Sequence, residues 1–248
     1  MRYTRVRIDI ITLFPGMFTG HLGESIMKRA QEKGLVILRL VNLRDYTHDR
    51  HRTADDRPYG GGAGMVLRPQ PLFEAVEDLK TPGCKVILLS PRGERYRQQK
   101  ARALSRESHL ILICGHYEGV DERVRALIDE EICVGDYILT GGELPALLIM
   151  DSVIRLIPGV LGDPNSLIEE SFLRGRLEYP HYTRPVEYRG MVVPEVLLSG
   201  DHEKIARWRE KQAFIYTYRH RPDLINKIPP TEREKIWLKE EGLDYEYN

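Results

Sequence analysis

The chain has 248 residues, 37 Lys and Arg against 37 Asp and Glu, and 42% hydrophobic side chains. Such a balance belongs to a folded globular protein, excludes a disordered or collagen-like chain, and offers no overall basic charge for a nucleic-acid partner. Apolar runs such as Leu144–Met150 are far shorter than the roughly 20 residues a bilayer span requires, so no membrane segment is expected. Arg2, Arg5 and Arg7 precede a short run that holds Asp9 and lacks a small-residue cleavage site. No signal peptide is therefore expected, and the cytoplasm is the default location. Cys84, Cys114 and Cys133 form no CxxC pair and sit in apolar runs. They read as buried free thiols in a reducing compartment, without a disulfide or zinc framework. Charge is unevenly spread, with twelve Lys and Arg against seven Asp and Glu in residues 1–68. Arg accounts for 27 of the 37 basic residues, and its planar fork suits phosphates and base edges as well as surface ion pairs.

The first 160 residues alternate strand-like and helix-like segments. Val6–Leu13 is a β-rich run, Gly23–Lys33 carries helix formers closed by Gly34, and Val36–Val41 is the next strand. After Pro69 and Pro71, the spacing of Leu72, Phe73, Val76 and Leu79 predicts a helix. Lys85–Leu89 predicts a strand and Glu94–Arg106 a polar helix. His109–Ile113 reads as a strand, Val120–Ile128 as a helix, Glu131–Val134 as a strand and Leu144–Leu156 as an apolar helix. Short, continuous Val/Ile/Leu strands are covered on both faces, which predicts an α/β domain with a parallel sheet. Pro158-Gly159 ends the pattern. A polar, turn-rich stretch follows, so the chain divides into a main domain over 1–162, a mobile linker over 163–174 and a small, mainly helical domain over 175–248. Asp201–Tyr218 and Thr231–Lys239 are its expected helices.

Phosphate-loop, dinucleotide-fold, nucleophile-elbow and HExxH motifs are all missing from the sequence. Glycines follow strands instead, in Pro58-Tyr-Gly-Gly-Gly-Ala-Gly64, Cys114-Gly-His-Tyr-Glu-Gly119 and Gly135-Asp-Tyr-Ile-Leu-Thr-Gly-Gly142. Ser90-Pro-Arg-Gly93 ends a further strand. One glycine loop is usually a tight turn, but several at strand carboxyl ends predict a small-molecule pocket. His48 and His51 lack a carboxylate or Cys partner to complete a metal set, and read as a solvated basic loop.

Leu89-Ser-Pro-Arg-Gly93, Cys114-Gly-His-Tyr-Glu-Gly-Val-Asp-Glu-Arg123, Gly135-Asp-Tyr-Ile-Leu-Thr-Gly-Gly-Glu-Leu-Pro145, Asp151-Ser-Val-Ile-Arg155 and Pro180-His-Tyr-Thr-Arg-Pro185 resemble the bacterial tRNA (guanine-N1)-methyltransferases. The likeness runs in order from about Ile8 to Leu224. It implies a knotted fold of the SPOUT class, a parallel sheet ending in a trefoil knot whose loops bind S-adenosylmethionine. Knots are essentially absent from ordinary folds, so only the resemblance suggests one. It further implies transfer of a methyl group to N1 of the guanosine immediately 3′ of the anticodon, and a homodimer that binds tRNA rather than DNA or membrane. Cofactor contacts carried over are the backbone of Gly115, Val134, Gly135, Asp136, Tyr137, Ile138 and Leu139, with Leu89, Pro91, Tyr117, Gly141, Gly142 and Pro145 lining the same pocket. Such a displacement needs no resident metal ligand set, and whether Mg2+ assists is not legible in the sequence.

Arg155 carries over as the group that stabilises guanine O6, although Asp151 four residues earlier could equally hold it in an ordinary helical ion pair. Glu170 carries over as the general base. The family's Asp-Ser-Phe is here Glu169-Glu-Ser-Phe172, so Glu169 is a close rival. Lys204, Arg207 and Lys211 share a helical face near Trp208, Phe214, Tyr216 and Tyr218. That set suits RNA backbone and base stacking, or a helix packing its aromatics inward. Two other readings stay open: another knotted RNA methyltransferase with a ribose or ribosomal RNA target, and a non-catalytic RNA-binding module on the same fold.

Overall fold

The computed structural model describes residues 5–162, 170–172, 175–243 and 245. Two compact units divide at Pro164/Asn165. In the first, the chain runs through β1 (Val6–Thr12), α1 (Thr19–Leu22), α2 (Ser25–Glu32), β2 (Val36–Asn42), β3 (Asp55–Asp56), β4 (Val66–Leu67), α3 (Pro69–Leu79), β5 (Lys85–Arg95), α4 (Gln98–Leu104), β6 (His109–Cys114), β7 (Glu130–Cys133) and α5 (Glu143–Ile154). Five of these strands form one sheet in the order β2-β1-β6-β5-β7, and every neighbouring pair is parallel. The expected α/β architecture with a parallel sheet is the one found.

Strand alternation explains why both faces are covered. Ile8 and Ile10 of β1, Ile87 and Leu89 of β5, and Leu110 and Leu112 of β6 point to one side, against α2, α4 and α5. Ile11, Val86, Leu88, Ile111 and Ile113 point to the other, against α3 and Val124. All six residues of β6 are buried, as a central strand with helices on both faces requires. β1 and β6 begin around a buried polar group: Asp9 accepts from Arg7 and lies 2.8 Å from His109 Nε2, while His109 Nδ1 meets the Thr81 hydroxyl at 2.7 Å. Burial of that carboxylate is tolerable because it is bonded on both sides.

Two local expectations are corrected. Glu94 and Arg95 do not start a helix but extend β5, pairing with Ile132 and Cys133 of β7 after a register shift at Leu89/Glu94. Strand pairing there overrides helix propensity, and the helix is confined to α4. Val120–Ile128 is a 3-10 turn over Glu122–Leu127, with only Val124 buried and Asp121 accepting from the Arg123 N–H. One buried side chain gives too little apolar surface to hold a longer α-helix. Among the described residues no helix is long and apolar enough to cross a membrane.

The second unit holds a short hairpin, β8 (Glu187–Tyr188) and β9 (Met191–Val192), then α6 (His202–His220), α7 (Pro222–Lys227) and α8 (Glu232–Glu240). Asp201 caps α6 by accepting from the Lys204 N–H, and Thr231 with Glu234 forms a capping box on α8. Phe214, Ile215, Ile225, Trp237 and Leu238 form its core. Arg176 ties the entering segment to that core, bonding Glu234 and the Ile228 carbonyl while lying 5.4 Å over the Phe214 ring. Most of the 163–174 linker, Glu169 included, lies outside the described residues.

Candidate functional site

β5 lies between β6 and β7 in the sheet, and the crevice lies where such sheets place ligands, at the carboxyl ends of these strands. A cavity of about 480 Å³ opens there, walled by the segments that follow β5, β6 and β7. Its size falls in the range of small-molecule sites. Each wall is a loop that the sequence forces out of regular structure. After Leu89, Pro91 lacks a ladder donor and the chain bulges, then regains β7 at Glu94. Gly93 is the pivot of that return, because a Cβ there would strike the Glu131 and Ile132 backbone. After β6, Tyr117 takes a left-handed conformation (φ 56°), an uncommon one for an aromatic residue. Glu118 N–H donates to the Met65 carbonyl, which pins this loop to the strand end at β4.

The loop after β7 comes back against the loop after β6. The Gly142 N–H donates to the Gly115 carbonyl at 2.7 Å, and His116 bridges Gly141. A Cβ on Gly142 would stand 2.6 Å from Cys114 Cα and 2.9 Å from Gly115 N. Only glycine permits this approach, because the obstacle is backbone. Gly142 also precedes α5, so the helix amino end with its partial positive charge lies beside the cavity.

Twelve of the thirteen residues expected to contact the cofactor line this cavity: Leu89, Pro91, Gly115, Tyr117, Val134, Gly135, Tyr137, Ile138, Leu139, Gly141, Gly142 and Pro145. Asp136 is not in the wall; it reaches Arg95 at 3.5 Å from an exposed position. Arg155 is the residue that ends α5, its N–H donating to the Asp151 carbonyl, and it is not in the wall either. Glu170 belongs to the second unit and is half-buried.

Beside the cavity, electrostatics disfavour Cys114 as a nucleophile. Burial, reinforced by the nearby Glu143 charge, pushes the Cys114 thiol well above its usual range, so it holds its proton. Burial raises the Glu131 carboxyl, but hydrogen bonds from Arg125 and Ser90 outweigh it and leave that group below the ordinary carboxylate range. Behind the wall, Tyr96 is pushed up to about 12, mainly by burial, and stays a neutral phenol bonded to Ser152. Among the described residues no cluster of three His, Cys, Asp or Glu could hold a metal ion. His48 bonds Glu74 at 2.7 Å.

Sequence patterns did not single out Thr12, His116 or Glu143, which the fold brings together behind the glycine loops. In the sequence Glu143 is one acid within the Gly135–Pro145 block, and only its contact with a strand 131 residues away sets it apart. On α6 the two readings divide by residue. Phe214 is buried against Trp237, and Lys211 is engaged by Glu240 and Glu241, whereas Tyr216 remains exposed.

Comparison with known proteins converges on one family. A family model described as tRNA (guanine-1)-methyltransferase TrmD matches residues 6–227. A tRNA (guanine-N(1)-)-methyltransferase of Geobacillus kaustophilus is 59% identical, over 95% of this chain and 98% of its own length. Proteins of the same name from Dictyoglomus turgidum and Bacillus subtilis are 57% and 56% identical over 95% of the chain, covering 96% and 98% of their own lengths.

Proposed function

The chain belongs to the tRNA (guanine-1)-methyltransferase family, and on that premise we propose how its own residues carry out methyl transfer to guanine N1 in tRNA. The target is the guanosine immediately 3′ of the anticodon. The methyl donor is S-adenosylmethionine, seated in the cavity after β5, β6 and β7 in a sheet region that closes as a trefoil knot. What supports the donor site above all is the approach of Gly142 to Cys114 and Gly115, a cradle that a single Cβ would fill. Backbone of Gly115 and of the 134–139 loop holds the nucleoside end, and Asp136 contributes its main chain only. When bound, the donor supplies an electrophilic methyl group on a sulfonium and leaves as a neutral thioether.

The remaining work falls to side chains. Glu170 takes the N1 proton of the guanine, which frees the nitrogen lone pair for the methyl group that the donor would supply. Arg155 places positive charge by O6 as negative charge builds there. The apolar wall of Leu89, Leu139 and Pro145 keeps water from the reacting atoms. The unit after residue 165 supplies tRNA contacts through Lys204, Arg207 and exposed Tyr216 of α6.

The enzyme works as a homodimer. Leu144 and Leu148 lie one turn apart on α5 and are 52% and 43% exposed, with Ile138 nearby in sequence at 83%. Apolar side chains left out in this way favour a partner surface. Sedimentation at micromolar concentration gives a dimer mass, and an active monomer would contradict that assignment. The function itself is tested by tritium transfer from labelled S-adenosylmethionine to bulk tRNA. Label in tRNA separates the enzyme from a non-catalytic binding module, and label confined to ribose or to ribosomal RNA would contradict the base assignment.

A further inference from the structure

Glu143 is the first residue of α5, yet its side chain does not face water: the residue is 2% exposed. The equally buried Thr12, at the carboxyl end of β1, donates its hydroxyl to Glu143 Oε1 at 2.7 Å and accepts the Phe14 N–H at 2.9 Å. The other carboxylate oxygen faces His116 Nδ1 at 3.9 Å, and that nitrogen has no hydrogen-bond partner. A Cβ on Gly141 would fall between Glu143 Oε2 and His116 Nδ1. Phe14 lies against the same imidazole at 4.8 Å and Tyr117 meets it edge-on at 4.5 Å. His116, Tyr117 and Gly141 line the cavity; Thr12 and Glu143 do not.

A carboxylate is a costly group to bury where an apolar side chain would fill the same space. What it does here is tie the end of β1, through Thr12, to the β7–α5 loop, through its own backbone beside Gly141, while the His116 ring of the loop after β6 packs against its second oxygen at 3.9 Å. We propose that Glu143 is a positioning residue for the donor cavity, holding the loops after β6 and β7 at the spacing the cofactor needs by anchoring them to Thr12. The inference rests on the donor site assigned above. It makes the cavity preformed, so that loosening the anchor weakens donor binding and leaves the reacting groups, which lie elsewhere, as they were.

The test compares Thr12→Val, which keeps the shape and removes the hydroxyl, with Thr12→Ser, which keeps the hydroxyl, and with Glu143→Ala. S-adenosylhomocysteine binding is measured by calorimetry, and methyl transfer to tRNA is followed with each substrate varied in turn. Thr12→Val raises the S-adenosylhomocysteine Kd and the donor KM about tenfold, the order expected for one lost hydrogen bond to a buried charge. The tRNA KM and the kcat at saturating donor stay within about twofold, and Thr12→Ser restores wild-type donor affinity. Glu143→Ala follows Thr12→Val in direction; should it fail to fold, Thr12→Val alone decides. Unchanged donor affinity in folded Thr12→Val overturns the inference, as does a fall in kcat without a change in donor KM. If the wild-type protein bound no S-adenosylhomocysteine, the donor site itself would be misplaced, a different result from either.

Discussion

Replacing Glu170 with Gln lowers methyl transfer by about 10²–10⁴-fold, the usual worth of a positioned general base. Guanine N1 keeps its proton near neutral pH, so the lone pair that must attack the methyl carbon is engaged until a base withdraws that proton. Gln has nearly the same shape as Glu but no basic oxygen. Donor affinity is expected to stay constant, because the cavity wall is built from the segments after β5, β6 and β7. Glu170→Asp keeps much of the activity, since a carboxylate is restored with one methylene fewer. Single-turnover kinetics with excess enzyme read the step directly, free of product release. A near-wild-type rate in Glu170→Gln, together with collapse in Glu169→Gln, would move the base one residue along the chain.

The second large effect is at Gly142. Valine there drives its Cβ into Cys114 Cα and Gly115 N, which are backbone atoms of a central, fully buried strand and its first loop residue. Neither can move without breaking the Gly142–Gly115 hydrogen bond. The loop after β7 is therefore pushed away from the loop after β6, and S-adenosylhomocysteine affinity falls by about 100-fold or more, equivalent to roughly 3 kcal/mol. Circular dichroism of the variant shows the fold retained, because the sheet and its two apolar layers do not depend on this contact. Affinity undiminished in a folded Gly142→Val would place the donor pocket elsewhere.

Much of this architecture was legible because it is written in runs of side chains. Continuous Leu and Ile at 110–113 admit only a strand covered on both faces, and all of them are buried. The stripe of Leu72, Val76 and Leu79 likewise marks the buried face of α3. Pairing order was not legible, since β5 sits between β6 and β7 through contacts far apart in sequence. The extension of β5 through Glu94 and Arg95 escaped notice for the same reason: polar residues in an edge pairing look like the start of a surface helix. The glycine loops could be read as a pocket because glycines after strands carry a local meaning. Their anchor could not, because Thr12 and Glu143 are ordinary residues until the fold brings them within 2.7 Å. Phe214, a candidate for base stacking by sequence, is instead committed to the core of the second unit, a fact its amphipathic helix left undecided.

Nucleoside mass spectrometry of modified tRNA tests most directly whether methyl transfer goes to N1 of one guanine. A tRNA transcript with guanosine immediately 3′ of the anticodon is incubated with the protein and S-adenosylmethionine, digested to nucleosides, and compared with a transcript carrying adenosine at that position. The first is expected to yield 1-methylguanosine and the second none. A methylated ribose, a methyl group on another guanine nitrogen, or equal 1-methylguanosine from both transcripts would contradict it.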